Sequence, residues 1–401
     1  MPDKIKNILF ANHLSGDDYF GGGELYFLWL CAKVNSLPGF RSFFLNNKEG
    51  DIVAQAKECG IDNLLSPYSL LWEMNYGPGR FRASFDVFLK RNAGDIVMLK
   101  ELMGKNDISL ILVNCAVNPL PAVAAKELGI PVIWMVNETF NIYCQRPKRI
   151  FNALFNRSGR SSVAGILDAY SNHVIFPSLK SCRSFAGRRY LPGKSSEIMP
   201  ALRDDIYEDS LNFKRVDKNE HVVIGFAGLF VEHKGVTDFI RAAAQIQRQH
   251  KNARFVLCGA TPRKDYLKKV KDMILRSGLK QKVEILGLLR DMREFYRRID
   301  LFVMPSRQEP FGMVTAEAMS YGIPVIIYDT SGVGEIIGNN TDGFLIRPGH
   351  RNIAKKAVEL MNDRKRCRSV GLNARSTVRE QLSPEGIFKK HYSIIKELLC
   401  H

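Results

Sequence analysis

Two glutamates, Glu309 and Glu317, stand eight positions apart, one in a turn-rich loop and one inside a helical pattern. Gly312 between them lets backbone approach a ligand closely. The helix that begins near Met313 points unpaired N–H groups and the positive end of its dipole at the same place, which favours an anion such as phosphate. A sugar nucleotide suits this layout. Its diphosphate would sit on the helix start, while one carboxylate accepts ribose hydroxyls and the other the hydroxyls of the sugar. On residue types alone, two solvated charges on a surface helix remain the alternative.

The elements that must hold these residues are legible around them. Leu301-Phe-Val-Met304 is an unbroken apolar run, the pattern of a strand buried on both faces. Pro305-Ser306 ends it, and Arg307 to Gly312 form the loop. Val314, Ala318 and Met319 then recur at helical spacing until Gly322, and Pro324 to Tyr328 make the next strand. Similar strands are predicted at Ile8–Ala11, Ser42–Leu45, Leu110–Val113, Val132–Val136 and Val174–Phe176, then at Val222–Ala227, Phe255–Leu257 and Val283–Leu286. With helical patterns between them, they predict an α/β chain of doubly wound parallel sheets, which bind ligands at the carboxyl ends of their strands.

The chain has 401 residues, enough for two domains of ordinary size. With 45% hydrophobic and 25% charged residues it has the composition of a globular protein with ample core. The surplus of 58 basic over 41 acidic residues gives +17, which points to an anionic partner without choosing among phosphate ligands, nucleic acid and acidic membrane. The eight cysteines are scattered singly, with no metal-site spacing, and read as reduced thiols of a cytoplasmic protein. No stretch has the leader pattern of a secreted chain or approaches the roughly 20 apolar residues needed to span a bilayer.

Several segments together resemble a known family. Asp300-Leu-Phe-Val-Met-Pro-Ser306, Glu309-Pro-Phe-Gly312 and Glu317-Ala-Met-Ser-Tyr-Gly-Ile-Pro-Val325 resemble the Glu-x7-Glu region of retaining GT-B glycosyltransferases of family four. Gly332-Val-Gly-Glu335 and Gly343-Phe-Leu-Ile346 extend the match. The resemblance implies two Rossmann-like domains facing across a cleft: acceptor-binding residues 1–198, nucleotide-sugar-binding residues 199–380, and a C-terminal helix, 381–401, returning to the first domain. It implies donor contacts from Gly228, Lys234, Arg307, Glu309, Phe311, Gly312, Met313, Val314 and Glu317, and from Gly22 and Gly23 in the glycine run after the first strand. It places Glu309, Lys234, Asn137 and Glu138 at the reacting centre.

Two positions depart from the family pattern. In Gly228-Leu-Phe-Val-Glu-His-Lys-Gly235 the residue after the first glycine is Leu229 where the family has arginine, which leaves Lys234 as the diphosphate-binding cation, with Arg307 as its substitute partner. In Asn137-Glu138 an asparagine replaces histidine; it hydrogen-bonds but does not shuttle protons at neutral pH.

The reaction implied is transfer of a sugar, with retention, from a nucleotide diphosphate sugar such as a UDP-sugar to a glycan or lipid-linked acceptor, in surface polysaccharide or lipopolysaccharide synthesis. No Asp-x-Asp occurs in the chain, so no metal is expected to hold the diphosphate, and no other cofactor is implied. Arg146, Lys148 and Arg149 beside Phe151 and Phe155 read either as a membrane-surface helix for a peripheral protein or as a helix packed on the core. Two other classes compete. A nicotinamide enzyme is set aside because Gly332-Val-Gly334 has its third glycine, Gly338, one position late. A binding protein for nucleic acid or anionic lipid would use the basic surface without chemistry, but no nucleic-acid partner is expected.

Overall fold

The computed structural model describes residues 5–14, 21–71, 81–138, 163–186, 193–214 and 221–400. The basic-aromatic segment Arg146–Arg160 lies outside the described residues. The chain divides into two compact units, Met1–Met199 with Ile387–His401, and Pro200–Gly386.

The first unit is built on a seven-stranded parallel sheet. Its strands are β1 (Lys6–Ala11), β2 (Phe40–Asn46), β3 (Asp62–Leu65), β4 (Ile108–Asn114), β5 (Val132–Met135), β6 (His173–Phe176) and β7 (Ser195–Glu197). They lie in the order β3-β2-β1-β4-β5-β6-β7. Ile8, Leu9 and Phe10 of β1 and Leu110 to Val113 of β4 are fully buried, as expected of central strands covered by helices on both faces. The order reverses between β1 and β4, which makes the carboxyl ends of those two strands the crevice-forming edge.

The second unit repeats the plan with six strands: β8 (Val223–Ala227), β9 (Arg254–Cys258), β10 (Val283–Gly287), β11 (Leu301–Met304), β12 (Val325–Tyr328) and β13 (Phe344–Ile346). Their order is β10-β9-β8-β11-β12-β13, so the switch falls between β8 and β11. Helices Val236–Gln249 and His350–Asn362 bury Phe239, Ile240, Ile246, Ile353, Ala357 and Leu360 in this unit's core.

The doubly wound parallel architecture matches the expectation. Strands β3 and β7 were not foreseen. Both are short edge strands whose residues are half-buried or exposed, so neither carries an apolar run. The loop helix after β11 is short, Met313–Ser320, and Gly322 closes it with a positive φ of 68°.

The last helix, Pro384–Cys400, supplies His391 to the first unit, where its Nε2 lies 2.6 Å from the Tyr26 hydroxyl. Burial pushes the imidazole down to about 3 from 6.5. A neutral buried histidine leaves the unfolded chain binding the extra proton, so stability falls as pH drops below 6.5 and keeps falling towards 3. Thermal unfolding of the first unit should therefore weaken through that window, and His391→Phe should flatten the profile there. An unchanged profile in the variant would assign the acid sensitivity to other groups.

Candidate functional site

The switch point of the second sheet brings together two loops that the sequence separates widely. After β8 the chain makes a short 3-10 turn, Glu232–Lys234, and enters the helix Val236–Gln249 through Gly235. Gly235 has φ 75°, and a β-carbon there would lie 2.0 Å from the Pro305 carbonyl oxygen. Only glycine lets the loop after β8 pack this tightly on the loop after β11. The Arg307 N–H donating to the His233 carbonyl at 2.8 Å ties the two loops again.

This contact sets Lys234 against Glu309. Their Nζ and Oε2 atoms are 2.6 Å apart, with side chains only 18% and 9% exposed. A pair this dry keeps much of its Coulomb attraction, and each partner offsets the other's lost hydration. His233, next to the lysine, is held below its ordinary range by burial and by the Lys234 charge, so its ring is neutral at physiological pH.

Gly312 is the N-cap of helix Met313–Ser320, with φ 111°, and no side chain caps that terminus. A β-carbon at Gly312 would come within 3.2 Å of Glu309 Cγ and 3.3 Å of Ser331 Oγ. Phe311 is buried, and its carbonyl accepts from Val333 N–H at 2.7 Å and from the Ser331 hydroxyl at 3.1 Å. Met313 and Val314 are half-buried in the first turn. The turn therefore presents backbone donors, a lysine and a carboxylate at the sheet's ligand-binding edge.

Glu317 lies one turn deeper and is buried. Tyr296, on the short helix Arg293–Arg298, donates its hydroxyl to Glu317 Oε2 at 2.5 Å. Burial raises the Glu317 carboxyl, opposed by the Arg203 charge and the tyrosine hydrogen bond. Tyr296 was not read from the sequence, since it sits in a basic stretch with no motif. Arg307 takes a partner the sequence did not indicate: its guanidinium pairs with Asp238 at 2.7 Å, and Tyr328 donates to the same carboxylate oxygen at 2.9 Å. The Arg307 side chain remains 54% exposed.

In the first unit, asparagines close the carboxyl ends of four neighbouring strands. Asn137 donates to Asn114 at 2.9 Å, Asn114 to Asn12 at 2.9 Å and Asn12 to Asn46 at 3.0 Å. Asn137 is thus part of a side-chain network at the sheet edge. Glu138 is buried and accepts from the Ala116 N–H at 2.5 Å. Gly22 and Gly23 open helix Gly22–Asn35, and a β-carbon at Gly23 would stand 3.3 Å from the Asn137 β-carbon. In the same unit His13, Glu24 and Cys115, all buried, bring their ligand atoms within 4.8 Å of one another.

Residues 208–377, nearly all of the second unit, match the family model for glycosyl transferases group 1. The capsular polysaccharide biosynthesis glycosyltransferase CapM of Staphylococcus aureus is 26% identical over 182 residues, 45% of this chain and 47% of that one. The alpha-D-kanosaminyltransferase of Streptomyces kanamyceticus is 30% identical over 254 residues, 61% of this chain and 64% of the relative. These alignments span about half to just under two thirds of the relatives' own lengths. Among solved structures, Anabaena HepE in complex with UDP and glucose superposes with a TM-score of 0.78 at 18% identity, covering 97% of this chain and 99% of its own, which establishes the GT-B fold for both units. Residues 208–377 of the second unit thus carry the glycosyl transferases group 1 signature.

Proposed function

We propose that the protein transfers a sugar, with retention of anomeric configuration, from a nucleotide diphosphate sugar to a hydroxyl of a glycan or lipid-linked acceptor. The Lys234–Glu309 pair at the β8/β11 switch point carries this reading. A lysine there neutralises charge gathering on the departing diphosphate, and the uncapped turn at Gly312 adds fixed backbone dipoles. Donor phosphate entering the site competes with Glu309 for Lys234, which releases the carboxylate to accept sugar hydroxyls. Glu317, oriented by Tyr296, takes the ribose.

The UDP complex of the HepE-like fold makes UDP-sugars the first donors to test. The relative named for capsular polysaccharide biosynthesis supports an acceptor in surface glycan assembly. The net charge of +17 supports work at an anionic membrane face from the cytoplasmic side, with Arg146, Lys148 and Arg149 as the proposed contacts. Among the described residues no helix is long and apolar enough to cross a membrane.

Cations of the protein, not a divalent ion, are proposed to hold the diphosphate. Calorimetric titration with UDP should give the same affinity in excess chelator as in magnesium or manganese, and NMR of the product should show the donor's anomeric configuration. UDP affinity that collapses in chelator and returns with manganese would overturn the first proposal, and an inverted product the second.

A further inference from the structure

We propose that His13, Glu24 and Cys115 form a zinc site at the switch point of the first sheet. His13 follows β1, Cys115 follows β4, and Glu24 lies in the first turn of helix Gly22–Asn35, so three separate segments converge there. All three are buried, with ligand atoms within 4.8 Å of each other. His13 Nε2 and Glu24 Oε1 are 3.4 Å apart. Zinc–nitrogen and zinc–oxygen bonds of about 2.0–2.1 Å at a tetrahedral angle give an edge of about 3.3–3.4 Å, so this pair already has the separation a shared ion requires.

The surroundings orient the ligands as outer partners of a metal do. The Gly21 N–H donates to Glu24 Oε2 at 2.8 Å, which holds the carboxylate with Oε1 towards His13. Cys115 sits at φ 65°, a left-handed conformation unusual for a residue with a β-carbon. Its backbone is held by its N–H donating to the Met135 carbonyl at 2.8 Å and by Trp134 Nε1–H donating to its own carbonyl at 2.9 Å.

Without an ion, burial and the Glu138 and Glu24 carboxylates push the Cys115 thiol well above its ordinary range. A divalent cation reverses that balance. On binding, the thiol proton leaves to solvent as the zinc–sulfur bond forms, His13 donates a neutral nitrogen, and Glu24 contributes its carboxylate. The Cys115 thiolate and Glu24 carboxylate cancel the charge of the ion, which leaves the buried Glu138 carboxylate as the remaining charge beside the site. Three protein ligands leave a fourth position to water. Softness of the donor set, one sulfur and one imidazole, favours zinc over magnesium or calcium.

The test uses the full chain, stripped with chelator and dialysed against zinc. The wild type should retain about one equivalent by elemental analysis. Its cobalt derivative should show a thiolate-to-metal charge-transfer band that Cys115→Ser abolishes. Glu24→Gln keeps an acceptor for the Gly21 N–H, so the helix start survives while the anionic ligand is lost; zinc affinity should fall by about tenfold or more. Circular dichroism checks that each variant is folded. Zinc binding by the wild type no tighter than by folded Glu24→Gln, or a cobalt derivative without the thiolate band, would overturn the site.

Discussion

Replacing Lys234 with alanine is expected to slow sugar transfer by about 10²–10³-fold, the scale observed when one fixed donor to a developing charge is removed. The loss should fall on donor affinity and on kcat together, the latter because charge on the diphosphate is greatest as the sugar departs. The same change strips Glu309 of its 2.6 Å partner and leaves a carboxylate only 9% exposed. Such an orphaned charge destabilises the folded unit, by about 3–5 kcal/mol where a buried pair is broken from one side. Lys234→Ala combined with Glu309→Gln removes that orphan, so the double variant should regain stability without regaining rate. Steady-state kinetics with urea unfolding separates the two effects. Restoration of both by the second substitution would mean that the lysine acts only as a structural counter-ion.

The fold was largely readable because its central strands are covered on both faces and appear as unbroken apolar runs, as in Ile8–Ala11 and Leu301–Met304. The edges were not, since Asp62–Leu65 and Ser195–Glu197 have water on one side and no apolar signature. In the loops after β8 and β11 the residues themselves were readable, but their pairing was not. Lys234 and Glu309 are 75 positions apart, and their contact depends on Gly235 fitting against Pro305. Asp238 was hidden in an amphipathic helix, where an acidic residue in the first turn reads as an ordinary dipole partner. That helix position turned out to hold Arg307, the cation that had been read as compensation for Leu229. His13, Glu24 and Cys115 escaped any spacing rule because each comes from a different segment.

The two glutamates should separate under mutation. Glu317→Ala removes the proposed ribose acceptor and should weaken free UDP and the intact donor alike, by about 10–100-fold, the worth of one charged hydrogen bond at roughly 1.5–3 kcal/mol. Glu309→Ala should not weaken free UDP, because it releases Lys234 to the diphosphate, and should lower the transfer rate by a similar factor, since its proposed partner on the substrate is the sugar. Part of the Glu317 effect is indirect, because Tyr296 loses its 2.5 Å acceptor deep in the unit. Tyr296→Phe, which keeps the ring and removes only the hydroxyl, controls for that and should cost UDP binding less than Glu317→Ala. Titration of both glutamate variants with UDP and with donor, beside their turnover, checks the split. Equal, near-wild-type behaviour of the two would return them to the status of surface charges.

The central claim is that the second unit binds a nucleotide diphosphate sugar through the Lys234, Gly312 and Glu317 edge. A thermal-shift screen of the full chain against UDP-, GDP- and ADP-sugars tests it most directly, because a ligand held only by the folded state raises the melting temperature. One nucleotide series should stabilise the wild type in a concentration-dependent way, with the shift largely lost in both Lys234→Ala and Glu317→Ala. No shift with any sugar nucleotide, alongside stabilisation by nucleic acid that fades with salt, would contradict the account and make the basic surface, not the β8/β11 edge, the working part of the molecule.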